Sequence, residues 1–163
     1  MPKLAALQTG LPSETMHGVE DKNIYPFGLY TKGHYTPIPN RIFLAQCKVI
    51  TELAEKGACV IIGRCADYVL RSKFPTLNIF IHAPLEMRIK RIMEYDGCTE
   101  KQAVQKIIES DKARAGYHDF FTHSEWGKVQ NYDITLNSSL GLETSVKMVL
   151  DAASKKEIHR NYL

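Results

Sequence analysis

Ala58-Cys59-Val60-Ile61-Ile62-Gly63-Arg64 is the stretch whose reading sets the fold class. Five apolar residues in a row, closed by a glycine, suit a strand covered on both faces, and such strands belong to parallel sheets. Before it, Asn40 is placed to cap a helix. Ile42, Ala45, Val49, Ile50 and Leu53 then share one face until Gly57 ends it. After it, Ala66–Arg71 reads as a short helix and Leu77–His82 as a second strand. Pro84 suits the first turn of a helix running to about Tyr95, with Leu85, Ile89, Ile92 and Met93 inward. Thr99-x-x-Gln102 is a capping box for a helix over 99–115, with Ala103, Val104, Ile107 and Ile108 as its core stripe. Residues 116–130 are aromatic and polar without a clear period. Tyr132–Asn137 reads as a third strand and Leu142–Ala153 as a final helix fraying into Lys155-Lys156.

Strands separated by helices need crossovers, so the expectation is an α/β fold. It would be a three-layer arrangement, a parallel sheet with helices on both faces. Ligand sites in such sheets lie beyond the carboxyl ends of the strands. That rule points to Gly63-Arg64, His82-Ala83 and Asn137-Ser138-Ser139. Residues 1–39 hold five of the seven prolines and four of the ten glycines, with no sustained period. They read as an irregular arm on a single domain at 40–163.

The 163 residues are enough for one domain with a real core, burying roughly 70% of the unfolded surface. Hydrophobic residues at 44% and charged residues at 24% describe an ordinary globular chain. No membrane span or signal peptide is visible, and the expected location is cytoplasmic. A net charge of +3 is too small to argue for nucleic acid as a partner. Cys47, Cys59, Cys65 and Cys98 have irregular spacing and read as reduced thiols, two of them buried and Cys65 left open. The six histidines form no ligand ladder, so no metal site is expected.

The functional signal lies in the charges. Arg64 follows Gly63 and precedes Asp67: glycine permits close backbone approach, and a guanidinium offers a planar fork to phosphate or carboxylate. A surface arginine at a glycine turn is the plain alternative. Arg88 and Arg91 share a helical face with Tyr95, and on these residues alone they read first as a solvated basic face, with a site role as the alternative. On the next helix the core stripe turns into Asp111 and then Arg114 or Ala115, with Lys112, Gly116 and Tyr117 beside it. Such a stripe suggests a helix leaving the core to cover a charged ligand, with Gly116 as a hinge; the alternative is a wet helix end with a local ion pair. Asn137-Ser138-Ser139 is read first as a cap, with Ser139 in that role. The chain contains no G-x-x-x-x-G-K-[ST], no G-x-G-x-x-G and no G-x-S-x-G.

From about Asn40 to Ala153 the chain resembles the cytidylate kinase-like proteins, a branch of the nucleoside monophosphate kinases with the P-loop fold. Four pieces carry the resemblance. They are Gly57-Ala-Cys-Val-Ile-Ile-Gly-Arg-Cys-Ala-Asp-Tyr-Val-Leu70, Asn78-Ile-Phe-Ile-His-Ala83, Asp111-Lys-Ala-Arg-Ala-Gly-Tyr117 and Asn131-Tyr-Asp-Ile-Thr-Leu-Asn-Ser-Ser139. The resemblance implies ATP-dependent phosphoryl transfer to a nucleoside monophosphate such as CMP, with ATP and Mg2+ as cofactors. Arg64 would meet the acceptor's phosphate or sugar, and Asp67 would share that role, because Cys65 stands where cytidylate kinases proper carry an aspartate. Arg88 and Arg91 would lie on the helix leading to a lid at about 99–130, with Lys112 as a further donor. Asp111 would orient the acceptor and Arg114 would neutralise the transferring phosphoryl group.

Family members carry a glycine-rich phosphate loop and a central strand ahead of anything matched here, and Met1 falls after that region. A truncated chain with impaired transfer is therefore expected, with an uncovered sheet edge open to a second copy. Two other functions stay open: a regulatory module that binds a nucleotide or another phosphate ligand without chemistry, and an assembly protein completed by a partner strand.

Overall fold

The computed structural model describes residues 38–160. Helix α1 is Ile38–Glu55 and the short α2 is Ala66–Leu70. Strand β1 is Ile79–His82, followed by α3 at Leu85–Asp96 and α4 at Glu100–Thr122. Strand β2 is Ile134–Asn137 and α5 is Leu142–Arg160, with 3-10 turns at Val129–Asn131 and Ser138–Leu140. The fold is α/β with a small parallel sheet. Residues 1–37 of the expected arm lie outside the described residues.

Two compact units make up the chain, and their boundary on α4 falls between Asp111 and Lys112. The first takes residues up to Thr76 together with Lys112–Trp126. Its core is the expected α1 face, Ile42, Ala45, Val49 and Ile50, all buried. Ile50 packs with Ala66 and Leu70 of α2, and Ala54, Ile61, Val69 and Phe74 close around them. The second half of α4 joins α1 through aromatic rings. Phe43 stacks on Phe121 with centroids 4.1 Å apart, and Tyr117 sits 4.9 Å from Phe121. The Tyr117 hydroxyl donates to Gln46 Oε1 at 2.6 Å, giving the fully buried Gln46 amide a partner.

The second unit takes Leu77–Asp111 and the residues from Gly127 onward. β1 and β2 pair in parallel, Ile79 opposite Ile134 and His82 opposite Asn137. At the entry to the ladder the Asn78 carbonyl accepts from the Asp133 and Ile134 N–H groups, and the Asn78 N–H donates to the Asp133 carboxylate. At the exit Ser138 Oγ donates to the His82 carbonyl. Gly127 lies against this sheet: with φ +79°, a Cβ there would come within 3.0 Å of the Phe80 ring. Pro84 stands at the N-cap position of α3, one residue before the first turn expected for it and with no side-chain capping bond, and the Thr99–Gln102 box opens α4 reciprocally. The Thr99 N–H donates to Gln102 Oε1 at 2.9 Å, and the Gln102 N–H donates to Thr99 Oγ1 at 3.4 Å.

Five expectations need correction. Residues 58–62 form no strand, because among the described residues the only ladder is β1 with β2. Among the described residues no strand pairs with this run: Ile61 packs inward while Val60 and Ile62 are 93% and 88% exposed. Asn40 is not a cap, since α1 already begins at Ile38; Pro39 fits its first turn, where the missing N–H had no partner to lose. α4 continues to Thr122, so Gly116 is a helical residue rather than a hinge. Its aromatic contacts with α1 offset the cost of about 1 kcal/mol that glycine carries inside a helix. α5 runs beyond Ala153 to Arg160, and Lys156 Nζ donates to Asp133 Oδ1 at 2.6 Å. Finally, the cap at the third strand's end is Asn137, whose Oδ1 accepts the Ser139 N–H. No helix among the described residues is long and apolar enough to cross a membrane.

Candidate functional site

In the first unit, Gly63, Arg64 and Cys65 are all left-handed, with φ of 67°, 61° and 54°. For the two non-glycine residues this costs roughly 1–2 kcal/mol each, so the surroundings must hold the turn in place. The Ala66 N–H donates to the Gly63 carbonyl, and the Tyr68 and Val69 N–H groups donate to the Cys65 carbonyl, starting α2. The turn sends Cys65 inward and leaves Arg64 half-buried. Burial, reinforced by the Asp67 charge, pushes the Cys65 thiol up to about 12, so it stays neutral and offers no anionic contact to a ligand. The buried thiol is Cys65, which the sequence left open; Cys59 is exposed and Cys47 and Cys98 are intermediate, so the two buried thiols expected among the others are not found.

Asp67, in the first turn of α2, faces His118 on α4. Asp67 Oδ2 and His118 Nε2 lie 3.6 Å apart, and neither atom has a hydrogen-bond partner. At that separation they form an ion pair rather than a hydrogen bond. The other ring nitrogen, Nδ1, is 2.9 Å from the Ser124 carbonyl. Burial by itself would raise the Asp67 carboxyl, but the imidazole, the Tyr68 N–H and Arg71 outweigh it and hold the carboxyl below its ordinary value. Reciprocally, the Asp67 carboxylate lifts His118 above its ordinary value against the opposing effect of burial, with the Ser124 carbonyl and Asp119 adding to the rise.

In the second unit, Arg88 on α3 grips Asp111 on α4 with both forks of its guanidinium. Nη1 donates to Oδ2 and Nη2 to Oδ1, each at 2.7 Å. This carboxylate holds the Arg88 cation above its ordinary value, despite some burial. The structure thus brings together two expected site residues, Arg88 and Asp111, through a contact between two helices. Arg91 is exposed on α3, and Lys112 and Arg114 are exposed on the part of α4 belonging to the first unit.

His118 was not legible as a site residue, although a signal for it exists. Ala103, Ile107, Asp111, Arg114 or Ala115, His118 and Thr122 continue one helical stripe at spacings of three and four. Ala103, Ile107, His118 and Thr122 are buried. Among the described residues no cluster of three or more His, Cys, Asp or Glu side chains could hold a metal. In the first unit Asp67 already faces His118, and in the second Asp111 already faces Arg88. These residues do not fit a Mg2+ ion held by the chain's own side chains.

The sequence pattern of the cytidylate kinase-like family matches residues 1–140. The chain belongs to the cytidylate kinase-like family. The match takes in the first 39 residues, which the reading from motifs left outside the resemblance, and it stops before α5. The cytidylate kinase of Methanopyrus kandleri is 28% identical over 110 residues, covering 63% of this chain and 57% of that protein. The cytidylate kinase of Methanococcus aeolicus is 30% identical over 104 residues, covering 63% of this chain and 58% of that one. This chain therefore spans less than two thirds of the length of these curated relatives. A crystal structure of an uncharacterized protein from Eubacterium ventriosum ATCC 27560 superposes with a TM-score of 0.66 at 27% identity. It covers 94% of this chain and 89% of that one.

Proposed function

We propose that this member of the cytidylate kinase-like family provides the acceptor side of a nucleoside monophosphate kinase and binds a CMP-like ligand. The observation that carries the reading is the strained Gly63-Arg64-Cys65 turn, which presents a half-buried guanidinium three residues before the Asp67 carboxylate. Strain of this kind persists where surrounding structure holds it, and it clusters at ligand sites. Arg64 and Asp67 contact the acceptor, and Lys112 and Arg91 supply further positive charge. Arg114 neutralises phosphoryl charge, while Asp111 orients the acceptor with its carboxylate fixed by Arg88. The neutral Cys65 leaves Asp67 as the carboxylate for that task. A three-layer P-loop-kinase architecture and a cytoplasmic location belong to the same reading. ATP and Mg2+ are the family's co-reactants; the sequence has no G-x-x-x-x-G-K-[ST] to anchor a triphosphate, so transfer by this chain is weak.

Calorimetry of the 163-residue chain with CMP and with ATP tests the proposal. Binding of CMP without ATP is expected, and Arg64→Ala and Arg114→Ala should each abolish it. Failure to bind either nucleotide, or unchanged affinity in both variants, rejects the assignment.

Completion by a second copy is a further reading, favoured by the exposure of Val60 and Ile62 in an apolar run that pairs with no strand among the described residues. Light scattering that shows a clean monomer would reject it.

A further inference from the structure

His118 is 94% buried by its 6% relative exposure, yet it carries a ring nitrogen with no hydrogen-bond partner. A carbonyl can only accept, so the 2.9 Å contact with Ser124 assigns a hydrogen to Nδ1. If that were the ring's only hydrogen, the Nε2 lone pair would point at the Asp67 carboxylate, itself unpartnered at Oδ2. With Asp67 ionised, the contact is attractive only when both nitrogens are protonated. The other groups around the pair agree with a cation here. Asp119 Oδ1 is 3.7 Å from Nδ1, and Thr122 Oγ1 is 3.2 Å from Nδ1 while it donates to the His118 carbonyl. Arg71, four residues on at the C-terminal end of α2, lies 3.8 Å from Asp67, and Arg64 and Cys65 occupy the turn just before α2.

We propose that His118 is a positioning residue for the acceptor site: its imidazolium clamps Asp67 to α4 and so holds the strained Arg64–Cys65 turn in its ligand-binding shape. The inference rests on the acceptor reading given above. Deprotonation would leave the buried carboxylate facing a lone pair, release the first turn of α2, and let Arg64 and Cys65 relax toward ordinary backbone angles. Acceptor affinity then depends on a group that touches no ligand. The sign is opposite to that of the ligand's own titration. A nucleoside monophosphate gains its second negative charge near pH ~6, which strengthens binding as pH rises. Loss of the clamp weakens binding as pH rises further.

The test is CMP affinity of the full chain from about pH 5.5 to 9, with NMR titration of the His118 ring in the free protein. The wild type should show a falling limb on the alkaline side, with affinity lost by roughly tenfold. The midpoint of that limb should coincide with the ring titration, above the ordinary value near ~6.5. His118→Gln, which keeps an amide donor toward Ser124 or Asp67, should bind CMP less tightly than wild type at neutral pH but better than His118→Ala. It should also lack the falling limb. Asp67→Asn should move the ring titration downward.

A falling limb that survives in His118→Gln overturns the proposal, as does a His118 ring that titrates at or below its ordinary value. Wild-type measurements and the Asp67→Asn titration decide the matter even if the alanine variant does not fold. Absence of CMP binding at every pH rejects the acceptor reading. The ring titration and its response to Asp67→Asn still report on the clamp separately.

Discussion

The two charge pairs of the molecule sit in opposite surroundings. Arg88 and Asp111 meet through two short bonds of 2.7 Å, with side chains 30% and 31% exposed. Asp67 and His118 meet at 3.6 Å, with side chains 18% and 7% exposed. By distance alone the first pair is the stronger. Water reverses the order for the consequences of losing a partner: a half-exposed charge is rehydrated, whereas a buried one is left in a poorly polarisable interior. The long contact is therefore the one on which its unit depends. The first unit has committed a buried carboxylate and a buried imidazole to each other, and the second keeps its pair where either member can turn to solvent.

The sharpest way to break this ranking is His118→Ala. It should lower stability by on the order of 3 kcal/mol in urea unfolding, combining an uncompensated carboxylate with a cavity beneath α4. The double variant Asp67→Asn/His118→Gln replaces both charges by neutral amides and should recover most of that loss. A double variant as unstable as the alanine would show that packing, rather than charge, sets the cost.

The pH dependence of stability sharpens the comparison without any cavity. His118 has its pKa raised on folding, so its contribution is complete below the unfolded value and disappears as pH rises through the folded one. Asp67 has its pKa lowered, so its contribution is complete above the unfolded value and disappears as pH falls through the folded one. Stability from this pair is thus greatest from about pH 4 to 6.5 and declines on both sides. In Asp67→Asn the alkaline decline should shrink; an unaltered profile would assign it to another group.

For Arg88 and Asp111 a double-mutant cycle with alanine should give a coupling of roughly 1 kcal/mol, reduced in about 1 M salt. A coupling near that of the buried pair, insensitive to salt, would mean that the second unit shields its charges more than their exposure indicates.

How much of this was legible follows from where each residue gets its partner. The α1 stripe, the Pro84 start of α3 and the Thr99–Gln102 box are local patterns, and they were read from the residues because their partners lie three or four positions away. Arg88 and Asp111 were each picked out, but their contact spans 23 positions, and no spacing rule reports it. Residues 58–62 have the composition of a strand, yet strand formation needs a neighbour that composition does not supply. His118 failed for a different reason. The end of α4 is buried with histidine and threonine on its inward face, so the apolar period stops while the helix continues. The aromatic rings of Tyr117 and Phe121, which do bind α4 to α1, fall beside that stripe instead of on it.

The smallest expected effect concerns the start of the helix that both units share. Thr99→Ala removes the hydroxyl that accepts the Gln102 N–H and donates to Gln102 Oε1, leaving one first-turn donor to water. The site is exposed, so rehydration limits the loss to about 0.5–1 kcal/mol. The Gln102 side chain keeps its bond to the Thr99 N–H, and the helix should shorten by a turn without changing register. Hydrogen exchange then resolves where the loss is felt. Amides of 101–103 should exchange faster, while those of 118–122, held by His118, Thr122 and the aromatic contacts with α1, should not respond. Faster exchange at both ends would mean that α4 opens as one body and that the two charge pairs, for all their different surroundings, are broken by the same event.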